Sequence, residues 1–236
     1  MKNLIIFIGI FIIGIVMYFT CYKTKIYSFD SKKSGPNVLF ISGTHGNEDS
    51  GPYSLSNLVN QMKLNLMKLK KGKIFIIPNF NHCGLLKYSR YYSNIGKKYD
   101  LNRMYGKNFI VNRPIEKIVR DSDIIVDMHD AIGFNKINKY SIGSTIYFYN
   151  FKKKEKKSFL NKINKDIKED YKKFSIIPSN IIKRKNTLKS FVVKKYPDKK
   201  YILFETTGQN NIQHIDIRTH QCDILINFIL KNFKML

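Results

Sequence analysis

Short apolar runs alternate with longer amphipathic segments from residue 38 to the end of the chain. Apolar runs of about four to eight residues, bounded by turn-forming residues, are typical of buried strands. By this criterion the sequence predicts strands over residues 38–42, 73–78, 123–129, 144–149 and 201–205.

The segments between these strands carry apolar residues at helical spacing, which predicts helices over 52–68, 114–120, 152–174 and 212–233. The inner face of the first helix is predicted to consist of Leu55, Leu58, Val59, Met62 and Leu66. The Lys-rich helix over 152–174 is predicted to turn Phe159, Ile163, Ile167 and Tyr171 inward.

The alternation of strands and helices indicates the fold class. Because parallel strands need crossover connections, this order predicts an α/β fold, a three-layer sandwich with a mainly parallel mixed sheet covered on both faces. The length fits one such domain, over residues 37–236, preceded by a polar linker over 23–36.

Residues 1–22 do not fit the globular pattern. Every residue from Leu4 to Phe19 is apolar or Gly, and a helix reaching Tyr22 would be about 28 Å long at ~1.5 Å per residue. Since this nearly spans a hydrocarbon core of ~30 Å, the segment predicts an N-terminal transmembrane helix. A cleaved signal peptide is the alternative, but the bulky residues around Phe19 do not provide the small-residue cleavage site that it needs.

The predicted localisation is therefore the membrane, through a single N-terminal anchor. Lys23, Lys25, Lys32 and Lys33 follow the anchor and only Lys2 precedes it, which by the positive-inside rule favours a cytoplasmic domain. In a chain so rich in lysine this count does not settle the side of the membrane.

The formal net charge of +25 suggests an anionic partner, but the composition gives another explanation. Only six of the 42 basic residues are Arg, and Ala131 is the only alanine, as in sequences drifting toward A·T-rich codons. No nucleic-acid-binding motif accompanies the charge, so no nucleic-acid partner is expected. The three cysteines, which are well separated, form neither a disulfide framework nor a CxxC metal motif.

Candidate chemistry follows the first predicted strand. The stretch GTHGNE places His45 and Glu48 beyond the carboxyl end of the strand over 38–42, the edge at which open α/β sheets bind ligands. Residues three apart in a first helical turn point to the same side, so both could contact one ion. His129 ends the strand over 123–129 and offers a third ligand. Two imidazoles and a carboxylate suit zinc, although each residue alone could equally be a hydrogen-bonded structural residue.

Several motifs together resemble the zinc carboxypeptidase superfamily, including its succinylglutamate desuccinylase/aspartoacylase branch. The matching stretches are GTHGNE at 43–48, SRYY at 89–92, DLNR at 100–103, VDMHD at 126–130 and FETTG at 204–208. They occur in the order of the family and extend over most of the chain from residue 38.

The resemblance implies a role for each matching residue. His45, Glu48 and His129 correspond to the three ligands of one Zn²⁺, and Glu205 to the carboxylate that moves a proton from water to the leaving amine. Arg90 corresponds to the arginine that polarises the scissile carbonyl, and Asn102 and Arg103 to the pair that binds a substrate carboxylate.

Other polar residues near these motifs are given supporting roles. Asp100 is predicted to bind the outer nitrogen of His45, and Asp127 to orient a ligand. Asp130 is interpreted as a cap of its own loop. No tyrosine clearly matches the one that carboxypeptidases place near the substrate; the candidates are Tyr171, Tyr196 and Tyr201. His82, His214 and His220 are interpreted as structural or surface residues.

The predicted function is a zinc-dependent hydrolase that cleaves an amide bond next to a substrate carboxylate. Carboxypeptidase-like removal of a terminal residue from a small peptide is favoured, because the chain ends soon after the catalytic motifs and an open cleft is expected. The alternative is deacylation of an N-acyl amino acid. Two further readings are a non-catalytic relative that binds metal or peptide, and a basic membrane-surface module.

Overall fold

The structure, a computed structural model, describes residues 24–94 and 96–236. Its strands are β1 (Tyr27–Asp30), β2 (Asn37–Ile41), β3 (Lys73–Ile77), β4 (Tyr92–Asn94), β5 (Lys97–Tyr99), β6 (Ile124–Ala131), β7 (Thr145–Tyr149), β8 (Ser175–Ile176) and β9 (Lys200–Thr207). Its α-helices are α1 (Ser50–Lys63), α2 (His82–Leu86), α3 (Arg113–Asp121), α4 (Lys153–Asn164), α5 (Leu188–Lys195) and α6 (Ile215–Asn232).

Seven of these strands form one mixed sheet in the order β1-β3-β2-β6-β9-β7-β8, and β4 pairs with β5 in a separate hairpin. The central strands β3, β2, β6 and β9 are parallel. The edge strand β1 is antiparallel to β3, and β7 is antiparallel to β9. The mainly parallel mixed sheet therefore agrees with the prediction.

Both faces of the sheet are covered, which makes the fold a three-layer sandwich. In β2, Val38 and Phe40 belong to one core with apolar residues of α1, α4 and α6, whereas Leu39 and Ile41 belong to a second core with residues of α3 and α5. Successive side chains of a strand point to opposite faces, so a strand buried on both sides is apolar at every position. This is why the central strands were readable as short continuous apolar runs.

Two predicted helices are shorter than their periodicity suggested. The helix predicted over 52–68 is Ser50–Lys63, because Asn65 has a left-handed backbone (φ 58°), and Leu66, expected inside, is 75% exposed. The helix predicted over 152–174 ends at Asn164, whose side chain bonds the backbone N–H and C=O of Phe174. That pairing turns the chain back and leaves Tyr171 exposed.

The predicted linker over 23–36 also needs revision, because it contains β1. This strand pairs with β3 from Tyr27↔Ile76 to Asp30↔Lys73. As an edge strand it is only half buried, so its sequence mixes polar and apolar residues and resembles a linker.

The predicted transmembrane helix and membrane localisation are corrected. Within residues 24–94 and 96–236, no helix is both long enough and apolar enough to cross a bilayer. The longest of them, α6, carries Asp216, Arg218, Asp223 and Lys231 along its 18 residues. The anchor predicted at residues 1–22 lies outside the described residues, and the fold class is stated without it.

Candidate metal centre

The predicted metal ligands lie at the carboxyl edge of the parallel strands. The loop between β2 and α1 carries both His45 and Glu48, so the two are not in a first helical turn, and His129 lies two residues before the end of β6. This loop passes so close to α2 that a Cβ at Gly46 would lie 1.9 Å from the carbonyl carbon of Gly84. Only glycine fits there, which explains the first turn of the GTHGNE stretch.

His45, Glu48 and His129 converge, and all three are buried. One potential ligand atom from each lies within 4.8 Å of the others. The Nδ1 atoms of His45 and His129 contact the two oxygens of Glu48, at 2.7 Å and 2.6 Å respectively. The ring centroids of the two histidines are 5.1 Å apart.

Each imidazole also presents its outer nitrogen to a carboxylate. His45 Nε2 is 3.1 Å from Asp100 Oδ1, in a hydrogen bond. His129 Nε2 is 3.1 Å from Asp127 Oδ1, but the two groups are not aligned as a hydrogen bond, and neither atom has another polar partner among the described residues. A carboxylate on the outer nitrogen leaves Nδ1 as the nitrogen that can bind a metal.

The charges of this cluster depend on one another. Burial alone would raise the pKa of Glu48, but the adjacent His45 and His129 outweigh it and hold that pKa far below its usual value. Burial likewise opposes the ionisation of Asp100, and the hydrogen bond from His45 with the charge of Arg90 lowers its pKa. Both acids are therefore anionic at neutral pH.

This set of donors fits a divalent metal ion. Two imidazole nitrogens and one carboxylate oxygen are the ligands of a common class of catalytic zinc site, which keeps a further position for water or substrate. The carboxylates behind both imidazoles complete the usual outer shell of such a site. The described residues could thus hold a metal ion through His45, Glu48 and His129.

Glu205 lies beside this cluster. It pairs with His129 in the ladder between β6 and β9 and is 6% exposed, with no hydrogen-bond partner among the described residues. Burial raises the pKa of Glu205 to about 8. A cation bound at the neighbouring ligands would lower that pKa, since a positive charge favours the carboxylate.

Arg90, Asn102 and Arg103 line the same cavity, whose volume is about 870 Å³. Arg90 is turned toward the ligand cluster, with its guanidinium 3.5 Å from Glu48 and 3.2 Å from Asp100. The Asn102 side-chain oxygen accepts a hydrogen bond from the backbone of Leu188 at the start of α5. Its side-chain NH₂ group therefore remains available as a hydrogen-bond donor.

The cavity wall also contains cations that the sequence analysis did not single out. Lys139, Arg184 and Lys189 join Arg90 and Arg103 along it. Lys189 is 8% exposed, and its ammonium bonds the carbonyl of Ser179 and lies 4.6 Å from the ring centre of Tyr147. Five acids line the same cavity, namely Glu48, Asp100, Asp127, Asp130 and Glu205, so the basic residues offer contacts to an anionic group of a ligand without making the cavity cationic as a whole.

The tyrosine candidates lie in different places. Tyr201 is buried in the cavity wall and donates a 2.6 Å hydrogen bond to Asp127. Tyr171 packs against Phe134, and Tyr196 against Phe191. A further tyrosine, Tyr140, lines the cavity from the loop after β6 and is 96% exposed.

At the cluster, the sequence analysis missed Gln209 and gave Asp130 the wrong role. Gln209 donates to Glu48 Oε1 at 3.1 Å and to the carbonyl of Asp130 at 2.6 Å. Asp130 does not cap its own loop; its carboxylate accepts hydrogen bonds from the backbone N–H groups of Asp49 and Ser50. The glutamine follows the FETTG stretch directly, but nothing in the local pattern indicates its partner 161 residues away.

The chain resembles one family model and several solved structures. The family model described as the succinylglutamate desuccinylase/aspartoacylase catalytic domain matches residues 34–142, and no curated protein sequence matches the chain. Among solved structures, the mDAP-bound form of Helicobacter pylori Csd4, a D,L-carboxypeptidase, has a TM-score of 0.69 at 14% identity. The match covers 89% of this chain and 55% of that one.

A succinylglutamate desuccinylase/aspartoacylase from Rhodobacter sphaeroides has a TM-score of 0.62 at 17% identity, covering 90% of this chain and 59% of that one. At these identities the structural matches establish the fold. The chain spans a little over half the length of both proteins.

Proposed function

We propose that this chain belongs to the zinc carboxypeptidase-like superfamily, which includes the succinylglutamate desuccinylase/aspartoacylase branch. We propose further that it is a zinc-dependent hydrolase and that it acts on an amide bond next to a substrate carboxylate. One observation carries the proposal: three buried candidate ligands, His45, Glu48 and His129, converge beside the buried carboxylate of Glu205 in a cavity that Arg90 and Arg103 also line.

The ion would be held by the Nδ1 atoms of His45 and His129 and by a carboxylate oxygen of Glu48. When bound, zinc supplies a positive charge that polarises a carbonyl oxygen and lowers the pKa of a coordinated water to about 7. Asp100 fixes the ring of His45, while Asp127 lies against the outer nitrogen of His129 and is itself bound by Tyr201.

Glu205 is the proton carrier in this proposal. Its carboxylate lacks a hydrogen-bond partner in the described part of the chain, and a cation held by the neighbouring ligands would keep it ionised, so that it can accept a proton from the attacking water. It then donates that proton to the nitrogen of the leaving amine. Burial supports both steps, because it brings the proton affinity of the carboxylate closer to that of its partners.

Arg103 and Asn102 bind the substrate carboxylate. A guanidinium can form two parallel hydrogen bonds to a planar carboxylate, which a lysine cannot. Arg90 lies between the ligand cluster and the open cavity, where its charge can stabilise the negative oxygen that develops during attack on the carbonyl.

We favour a small peptide over an N-acyl amino acid as substrate. The cavity of about 870 Å³ is large for a single small amino acid, and the Csd4 protein with the same fold is described as a D,L-carboxypeptidase. Deacylation of an N-acyl amino acid remains the second candidate, supported by the family match.

The test begins with the metal. The full-length protein, purified without chelators, should contain close to one equivalent of zinc, and His45→Ala should lose it. His220→Ala, which removes a histidine outside the cluster, is the matched control and should keep the metal. Activity is then measured on short peptides and on N-acyl amino acids. A wild-type protein that binds no zinc, or that hydrolyses neither class when loaded, overturns the proposal.

A further inference from the structure

A buried ion pair lies behind the metal centre, on the opposite face of the sheet. Arg218 of α6 is 2% exposed, and its Nη1 is 2.5 Å from Asp130 Oδ2 and 2.8 Å from Asp49 Oδ1. Its Nε donates to the carbonyl of Gln213 at 3.1 Å. Since neighbouring residues of a strand face opposite sides, Asp130 points to this layer while His129 points to the ligand cluster.

The carboxylate of Asp130 joins three segments. Its Oδ2 accepts the backbone N–H groups of Asp49 at 3.1 Å and of Ser50 at 3.2 Å, at the start of α1. Its Oδ1 accepts the hydroxyls of Ser50 and of Thr206, which lies near the end of β9. The start of α1 and the ends of β6 and β9 are therefore fastened to one carboxylate.

The same residue reaches the ligand Glu48 through its backbone. Asp130 N–H donates to Glu48 Oε2 at 3.3 Å, and Gln209 bridges the Asp130 carbonyl to Glu48 Oε1. Both oxygens of the ligand carboxylate thus receive a hydrogen bond whose position depends on where Asp130 is held.

The guanidinium of Arg218 occupies the space beside Gly208, where a side chain would otherwise lie. A Cβ at Gly208 would lie 2.3 Å from Arg218 Nη1, so any larger residue there would displace the arginine. Gly208 is also fixed by its N–H, which donates to the carbonyl of Ala131 at 3.0 Å. The glycine of the FETTG stretch is therefore explained by the arginine rather than by a turn.

We infer that Arg218 is a positioning residue of the metal centre: by neutralising Asp130 and bridging it to Asp49, it sets the relative position of Glu48 and His129. The inference rests on the proposed function, because it concerns the same ligands. A buried carboxylate without its counter-charge is strongly destabilised, so Asp130 would leave its present position. The two ligand-bearing segments that it joins would then move independently. Outer-shell partners of this kind typically change metal affinity by about 10- to 100-fold.

The test compares zinc affinity of the folded protein in wild type, Arg218→Met, Arg218→Lys and Ser54→Ala, using competition with a chromophoric chelator. Ser54 is the matched control, since its hydroxyl joins the same two helices, α1 and α6, by bonding Asp223, but does not reach Asp130. We expect Arg218→Met to weaken zinc binding by about 10- to 100-fold and Ser54→Ala to leave it unchanged. Arg218→Lys should be intermediate, because one ammonium keeps the charge but bridges two acids poorly.

The visible absorption spectrum of the Co²⁺-loaded proteins provides a second measurement that a purely stabilising ion pair would not affect. It should change in Arg218→Met and stay as in wild type in Ser54→Ala. Should Arg218→Met fail to fold, Gly208→Ala replaces it, because its methyl group displaces the guanidinium without removing the charge. Wild-type affinity and an unaltered Co²⁺ spectrum in a folded Arg218→Met or Gly208→Ala protein overturn the inference and leave the proposed function intact. Failure of wild type to bind zinc overturns both.

Discussion

His129 and Glu205 are direct partners in the ladder between two parallel strands, β6 and β9. Side chains of paired residues point to the same face, so the third potential ligand and the buried carboxylate stand side by side. Backbone hydrogen bonds of the central sheet fix this relationship. The distance between them is thus set by two paired central strands rather than by a loop.

Replacement of Glu205 by Gln should separate metal binding from turnover. The amide keeps the shape of the side chain but cannot carry the proton, so we expect zinc content to stay near wild type and kcat to fall by about 10²- to 10⁴-fold. Zinc analysis and steady-state kinetics check this. Glu169→Gln, at an exposed acid, should keep full activity. An active Glu205→Gln enzyme would remove Glu205 from the proposed mechanism.

Asp100→Asn should weaken the metal site without emptying it. The carboxylate of Asp100 accepts a hydrogen bond from His45 Nε2. An amide in its place would orient the imidazole ring less firmly and would not stabilise positive charge on it. Zinc affinity should fall by about 10- to 100-fold in chelator competition. Asp121→Asn, an exposed acid at the end of α3, is the control. Equal affinities in the two variants would show that Asp100 does not support the ligand.

Arg103→Met should raise KM far more than it lowers kcat. The guanidinium is proposed to bind the substrate carboxylate, and a charge-assisted hydrogen bond contributes about 1.5–3 kcal/mol, or roughly 10- to 100-fold in binding. Wild type should also discriminate against substrates with an amidated terminus, and the variant should not. A KM that is unaltered by Arg103→Met would place carboxylate recognition elsewhere on the cavity wall, with Arg184 as the next arginine to test.

Phe204→Ala should strongly destabilise the domain. Its ring is fully buried and stacks on Phe174, with centroids 5.0 Å apart and an interplanar angle of 4°. Removing an aromatic ring from such a core costs about 3–5 kcal/mol, measurable by urea unfolding. Leu64→Ala, at a side chain that is 69% exposed, should change stability by less than about 0.5 kcal/mol. Similar losses in both variants would contradict the assigned core.

Asp223 should make stability depend on pH. Burial raises its pKa in the folded chain, whereas the unfolded chain has the ordinary value of about 3.9. The folded state therefore holds the proton more tightly, and its contribution is complete below the ordinary pKa and is lost as pH rises through the folded one. Asp223→Asn removes this loss, so the variant should gain stability relative to wild type between pH 4 and pH 7 in urea unfolding. A constant difference across that range would contradict this assignment.

The central strands were predictable because burial on both faces leaves continuous apolar runs, as in Val38–Ile41. The candidate ligands His45, Glu48 and His129 were predicted from motifs near strand ends, where topology limits their positions, and the structure brings the three side chains together. Edge strand β1 was missed because its residues alternate between partly buried and exposed, so its sequence contains no continuous apolar run. The helix predicted over 152–174 was too long because periodicity does not reveal that the Asn164 side chain bonds Phe174.

The hydrogen bonds and ion pairs that Gln209 and Arg218 make next to the cluster could not have been predicted from the residues that surround them in the sequence. The bonds from Gln209 to Glu48 and Asp130, and those from Arg218 to Asp49 and Asp130, join residues at least 79 apart in the sequence, and no local pattern indicates these pairings. Such pairings depend on how α6 packs against the sheet. A polar residue inside a helix acquires its role from the residue that the fold places opposite it.

Arg218 lies 169 residues beyond Asp49, and the helix that carries it is the last one in the chain. During synthesis from the N-terminus, the strand that carries His129 is complete long before this helix leaves the ribosome. The contact therefore closes a very long loop. Such contacts tend to form late in folding, because the intervening chain loses conformational entropy before the contact stabilises it. If Arg218 positions the candidate ligands as inferred above, a nascent chain that lacks α6 would contain His45, Glu48 and His129 but would bind a metal ion more weakly than the completed domain.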